Sequence, residues 1–362
     1  MLPPQCTKSV PPIPINKEIS AYEARMRFSM EIFMRIVKPA YFDQFHCIAS
    51  ACPDSCCKEW TVQVDAESAA YYRSLSGALG DRLRQVMTAE DGDTVMINED
   101  NRCPMWRQDG LCRIQAELGH DALCKTCREF PRLTHDYGDF VEMGLELSCP
   151  EAARIILTAP VSDPVVEFID GDTAPEYDTD AMAVLLQTRE EMLKILADES
   201  RPLWETLSLG LMYAHHAQAL LDGIDIAPFD PEAALQTAYK FGKASTELPG
   251  FYAELEILTE KWRDRLASPA PAAWSAPIRA MARYGVERFW LQAVSDYDLI
   301  CRVKMIIAAC LLVKTLGGDP IETAQLYSKE IENNAENIDA ILDAAYTHPA
   351  FTDENLLGLL LS

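Results

Sequence analysis

The chain has 362 residues, 49% of them hydrophobic, and a formal net charge of -24 from 56 acidic and 32 basic side chains. That length allows two or three packed units with a sizeable core. The charge argues against nucleic-acid binding and against docking on anionic lipid, both of which need a cationic surface, and it suits either a basic partner or plain solubility.

Residues 1–16 are proline-rich and aperiodic, which predicts a loose tail. No basic start followed by an apolar run is present, so no secretory signal is expected; translation from near Met30 or Met34 is an alternative start. Residues 17–36 carry charges on one face and Met, Phe and Ile on the other, predicting a helix. Trp60 to Val64 alternates like a short strand, and Asp65 has the character of a helix cap ahead of Tyr71 and Tyr72. A helix over 77–89, a short strand at 95–97 and a helix over 111–118 stopped by Gly119 follow. Residues 140–147 are expected to be extended, and Pro150 opens a helix at a position where proline is tolerated.

Residues 160–179, rich in Pro and Asp, are expected to be a linker. From Asp180 onward the pattern is helical, over about 180–198, 202–222, 231–246, 250–267, 275–294, 296–316, 320–345 and 353–361. The longest apolar run, Met305 to Val313, has nine residues, against about 20 for a bilayer span, so it is expected to be a buried core helix. The Leu-rich end, 355–362, is expected to pack on the core. The fold class is therefore mainly α. A tail and helix (1–36) precede a small cysteine-rich, metal-binding α+β domain (37–159), which the linker joins to an all-α domain (180–362).

Nine of the twelve cysteines fall between positions 47 and 149. They stand as Cys47-x4-Cys52-x3-Cys56-Cys57, Cys103-x8-Cys112, Cys124-x2-Cys127 and an isolated Cys149. Clustered thiols in a chain without an export signal point to metal binding, since thiolates are soft ligands for zinc and iron–sulfur clusters. Proline follows Cys52, Cys103 and Cys149, which suits rigid ligand loops. The spacing is not that of a zinc ribbon, because only Cys124 and Cys127 form a C-x2-C knuckle. It is not the C-x3-C-x2-C run of radical enzymes either, because Glu59 stands at the third position. Between Arg102 and Arg132 six basic residues face four acidic ones, a local excess suited to a negatively charged thiolate centre. Arg128 or Arg132 could equally hold a substrate anion. Cys6, Cys301 and Cys310 stand apart and are expected to be ordinary buried thiols.

Six blocks in order carry a family resemblance: IVKPAYFDQFHC (36–47), ACPDSCCKEW (51–60), RCPMW (102–106), GLCRIQAELG (110–119), TCREFPR (126–132) and ELSCPEAAR (146–154). In these blocks the chain resembles the flagellin lysine-N-methylase family, more distantly related to the zinc- or iron-chelating cysteine-cluster proteins. The helical part beyond residue 180 matches more loosely. The resemblance implies a cytoplasmic enzyme that moves methyl groups from S-adenosylmethionine to lysine ε-amino groups of flagellin, or of another lysine-bearing protein, and carries an iron–sulfur cluster of the 4Fe-4S type. It implies metal ligation by Cys47, Cys52, Cys56, Cys57, Cys103, Cys112, Cys127 and Cys149. Cys124 is additional to the family pattern, and Lys58-Glu59 stands where a glycine often precedes Trp60.

Methylation of lysine needs the amine neutral, although its ordinary pKa is near 10.4, so a desolvating channel and a base are expected. His46, His135, Glu129 and Tyr41 lie near the motifs. No G-x-G-x-x-G and no strand–helix alternation mark a doubly wound donor fold. Two other readings stand beside methylation: a zinc- or iron-binding module without enzymatic activity, and a redox protein.

Overall fold

The computed structural model describes residues 33–90, 92–171, 174–241, 244 and 246–361. The expected tail and most of the first helix lie outside them. Phe33–Lys38, the end of that expected helix, is a strand, β1. Ile36 and Val37 favour an extended chain, and β1 has a partner on each side.

The order continues as β2 (Val62–Val64), α1 (Ala66–Ser74), α2 (Gly77–Val86), β3 (Met87–Glu90), β4 (Asp93–Met96), α3 (Arg113–Leu118) and α4 (Lys125–Glu129). Next come β5 (Arg132–Asp136), β6 (Phe140–Leu145), α5 (Pro150–Thr158) and β7 (Val165–Asp170). The all-helical remainder is α6 (Thr179–Ala197), α7 (Leu203–Leu221), α8 (Pro231–Ala238), α9 (Leu248–Tyr252), α10 (Glu260–Ala267), α11 (Ala276–Phe289), α12 (Ile300–Leu316), α13 (Pro320–Tyr327), α14 (Ala335–Thr347) and α15 (Asp353–Leu360). The chain is mainly α, as expected.

The four-stranded sheet has the order β5-β6-β1-β7, with β1 parallel to β6 and antiparallel to β7. β7 corrects the linker expectation: six residues of 160–179 pair with β1 from Phe33↔Asp170 to Lys38↔Val165. The Val-Val-Glu-Phe-Ile run supplies a β-prone segment that the prolines on its N-terminal side do not interrupt. A separate three-stranded sheet has the order β2-β4-β3.

Two cores organise these layers. Val62, Val64, Tyr72, Leu83, Met96, Met105 and Ile114 form a small core around Cys103 and Cys124. The larger core joins Tyr41, Phe42, Phe140, Leu145 and α5 to the helices. The four-stranded sheet thus leans on the helical part, while the segment between Cys52 and Glu129 folds around its own hydrophobic centre.

Helix α12 is the axis of the larger core, and every residue from Ile300 to Val313 is buried. The two charges within that buried stretch are paired: Arg302 to Asp296 at 2.9 and 2.8 Å, and Lys304 to Asp353 at 3.0 Å. At the C-terminus Leu356, Leu357 and Leu360 are buried, as the Leu-rich end suggested. Among the described residues no helix is long and apolar enough to cross a membrane.

Asp353 also lies 2.6 Å from His215 Nε2, so it fastens α15 to both α7 and α12. Burial opposes its charge, but His215 and Lys304 outweigh burial and hold its pKa down to about 2, against 3.8 ordinarily. A depressed folded pKa means full stabilisation above the unfolded value and loss as pH falls through the folded one. Asp353 is expected to contribute about 1–2 kcal/mol that disappears between roughly pH 4 and pH 2. Unfolding free energies of wild type and Asp353→Asn should converge over that window. Parallel curves would exclude the ion pairs as its cause.

Candidate metal centre and adjoining cavity

The cysteine segment is fixed by local hydrogen bonds that its turn residues supply. Ala49 N–H donates to Cys47 Sγ at 3.4 Å, and Cys52 N–H to the Ala49 carbonyl at 3.1 Å. Ser55 Oγ accepts from Cys57 N–H at 3.2 Å. The loop then zips onto the next one: Cys103 N–H donates to the Cys57 carbonyl at 2.7 Å, and Glu59 N–H to the Asn101 carbonyl at 2.9 Å. Trp106 pairs with Cys112 through an isolated bridge around the turn at Gly110. Asp65 caps α1 through Ser68 N–H at 2.9 Å, as expected, and its other oxygen accepts from Lys125 N–H at 2.8 Å, fixing the loop of Cys124.

These loops also hold strained backbone. Ala49, Glu59, Asp100 and Asn101 have positive φ, and Tyr297 is the one other such non-glycine among the described residues. Strain of this kind, about 1–3 kcal/mol per residue, persists where surrounding contacts fix it and gathers at functional sites. Glu59 has φ 74°, a conformation that glycine takes freely and other residues adopt only at a cost. Here Glu59 is retained by an ion pair, its carboxylate lying 2.6 Å from Lys329 Nζ.

Lys329 is the residue that sequence reading missed. Its side chain is 2% exposed and lies 2.8 Å from Asp54 as well as 2.6 Å from Glu59, with its ammonium over the Trp60 ring at 5.4 Å. Gln325, one turn earlier, donates to the Ser148 carbonyl at 2.8 Å, immediately before Cys149. One face of α13 and the π-helical turn Ser328–Glu332 therefore holds two separate cysteine loops. In the sequence it stands in a polar run, Ser328-Lys329-Glu330, that carries no signal of burial.

The thiols perturb one another in two overlapping groups. Cys52 is raised by burial first, then by neighbours that include Asp54, Cys47 and Cys56. Cys149 is pushed up to about 12 by burial, with Cys52 and Cys56 adding to it. In the second group Cys57 is pushed up to about 12 by its contact with Cys103, and Cys103 is correspondingly lowered. Cys112, raised by burial, also senses Cys56 and Cys124. Cys124 is lowered to about 7 by Cys127, whose own pKa is driven up. Cys56 and Cys57 contact each other where the groups meet. The structure thus places all eight expected ligands, and the additional Cys124, in neighbouring loops.

Among the described residues no three Cys, His, Asp or Glu side chains converge as a ready metal shell. Cys103 Sγ lies 3.8 Å from Met96 Sδ, and Cys124 Sγ lies 3.8 Å from the Gln63 carbonyl. The donor set nevertheless fits a thiolate-bound metal chemically. Trp106 Nε1, in the loop between Cys103 and Cys112, is buried with no acceptor, and a sulfur-rich anionic centre is the kind of acceptor it lacks. Arg102 and Lys58 lie over the Trp106 ring at 4.3 and 5.7 Å, placing positive charge beside these loops. Cys301 and Cys310 are buried away from them, each pushed up to about 12 by burial, and behave as core residues. Cys6 lies outside the described residues.

The segments leading into Cys47 and Cys149 also border a cavity of about 920 Å³ between the four-stranded sheet and helices α6 and α11. Of the four base candidates, Tyr41 and His135 line it; His46 and Glu129 are exposed. Burial drives the Tyr41 hydroxyl well above its usual range, so it stays protonated at neutral pH. His135 is lowered by burial, and further by Arg288, so it stays neutral there.

Comparisons with known proteins agree on one relationship. The flagellar biosynthetic protein FliU of Salmonella muenchen is 32% identical over 138 residues, covering 34% of this chain and 78% of that relative. Lysine-N-methylases of Salmonella typhimurium (strain LT2) and Salmonella choleraesuis (strain SC-B67) are each 32% identical over 138 residues, covering 34% of this chain. The match spans only 33% of each lysine-N-methylase. No family model matches the chain, and no solved structure matches it. With most of FliU covered at this identity, and with the same relationship to the lysine-N-methylases, the chain belongs to the lysine-N-methylase family.

Proposed function

We propose that the protein is a cytoplasmic protein-lysine N-methyltransferase. In this reading it transfers methyl groups from S-adenosylmethionine to lysine ε-amino groups of flagellin, or of another lysine-bearing protein, and holds an iron–sulfur cluster on its cysteine loops. The observation that carries the reading is the shared segment with the lysine-N-methylases, together with the gathering of nine thiols into neighbouring loops. Thiolates from Cys47, Cys52, Cys56, Cys57, Cys103, Cys112, Cys127 and Cys149 would hold the metal. A bound cluster would supply redox capacity or an open iron site for a polar ligand.

The chain's own residues provide what amine methylation requires. A lysine entering the cavity beside Leu133, Leu186 and Leu193 loses hydration, which lowers its pKa. His135, neutral at pH 7 with its Nε2 buried and unpartnered, is placed to accept the ammonium proton. The acidic surface, at net -24, attracts a lysine-bearing protein.

The test is anaerobic purification, iron and sulfide analysis, and methyl transfer from labelled S-adenosylmethionine to flagellin. Methylated lysines, reduced about 10²-fold or more in His135→Gln, are the expected result. Tightly bound zinc without sulfide, and no methyl transfer, would instead favour a structural metal-binding module.

A further inference from the structure

The cavity has hydrogen-bonding capacity that the protein itself does not use. Its sheet wall carries Leu133 and His135 of β5 opposite Gly144 and Glu142 of β6 in register. Gly144 stands inside a strand, where glycine is unfavourable unless space or close approach is needed. A Cβ there would meet only the Leu133 side chain, at 3.9 Å, so the missing side chain leaves room open and does not relieve a clash.

Helix α11 forms the facing wall. Its cations differ in how far they are occupied. Arg288 is bonded to Glu332 at 2.9 Å and to the Tyr284 hydroxyl, and across the cavity Arg189 of α6 holds Glu142 at 2.9 and 2.6 Å. Arg283 is different: its Nε is buried without a hydrogen bond, and the nearest carboxylate oxygen, Glu287 Oε1, is 3.6 Å away. A guanidinium and a carboxylate held as a loose ion pair, with the guanidinium Nε left without a hydrogen bond, suit a ligand carrying both opposite charges. Its carboxylate would go to Arg283 and its ammonium to Glu287. The volume and the leucine-lined wall accommodate a large remainder.

We propose that this cavity binds a small molecule ending in an α-amino-acid head group, held by Arg283 and Glu287 over the floor opened by Gly144. Resting on the lysine-methylation reading above, that molecule is the donor S-adenosylmethionine, with S-adenosylhomocysteine as the product left behind.

The test is calorimetric titration of S-adenosylhomocysteine into the full chain, purified without oxygen. Wild type is compared with Arg283→Leu, Gly144→Val and the exposed control Arg263→Ala. Circular dichroism verifies the fold of each, and Gly144→Val, which removes no charge, keeps the test open should Arg283→Leu not fold. Wild type and Arg263→Ala should bind alike, and each cavity variant should bind about tenfold more weakly or worse. Adenosine, lacking the head group, should bind wild type and Arg283→Leu equally. Binding undiminished in both cavity variants, or no binding to wild type, overturns the proposal. Methyl transfer that ignores both substitutions would remove this site and keep the activity. Binding that depends on Arg283 in a protein that methylates no lysine would do the reverse.

Discussion

Replacing Lys329 by Met is expected to destabilise the folded chain by about 2–4 kcal/mol and to strip most of the metal from protein prepared without oxygen. The lysine is buried, whereas its partners Asp54 and Glu59 are 26% and 27% exposed, which places the loss below that of a fully buried pair. Burial opposes the ammonium, yet the two carboxylates outweigh it and raise its pKa, so the cation is the centre of the arrangement. Methionine would fill the space but leave two carboxylates facing an apolar wall, and Glu59 would lose the contact that holds its positive φ. The loop carrying Cys52, Cys56 and Cys57 would then be free to rearrange. Urea midpoints and iron content, measured side by side, check this, and Lys329→Arg should restore part of both. Wild-type iron content in Lys329→Met would show that the loop needs no anchor from the helices.

The second large effect is expected from the cysteines themselves. Cys57→Ala should abolish most metal binding, because Cys57 touches both Cys56 and Cys103 where the two thiol groups meet. Cys310→Ala should leave metal content unchanged and cost about 1 kcal/mol, the loss expected for a small vacancy in a helical core. Iron and acid-labile sulfide assays on anaerobic protein separate the two outcomes, and sulfide distinguishes a cluster from zinc. Equal metal loss in both variants would mean that unfolding, not ligation, is being measured.

Legibility differed from one part of the chain to another. Asp65 as a cap and Pro150 at a helix start were readable because capping chemistry acts within a few residues, and both stand where expected. Helices α6, α7 and α12 follow their periodicity closely. The expected helix over 250–267 is instead α9 and α10 separated by an irregular stretch, and that over 320–345 is interrupted by a π-helical turn and Asn333. In both, side-chain bonds to distant elements compete with the local ladder: Glu330 accepts from Leu258 and Thr259 backbone N–H groups at 2.7 and 2.9 Å. β1 and β7 depart from their local patterns for a related reason, since a strand's stability comes from the partner beside it.

What the sequence determined by itself was the chemistry available: thiols at close spacing, an acidic surface, helical periodicity and six blocks of family likeness. These follow from residue type and near neighbours, which a linear pattern records. The tertiary structure decided which of those groups meet. Lys329 and Gln325 reach cysteine loops far away in sequence. His135 and Tyr41 came together with Arg283 and Glu287 around one cavity, while His46 and Glu129 did not. Such meetings depend on how sheet and helices pack, because burial, unmet hydrogen bonds and shifted pKa values are properties of three-dimensional neighbours, and no spacing along the chain encodes them.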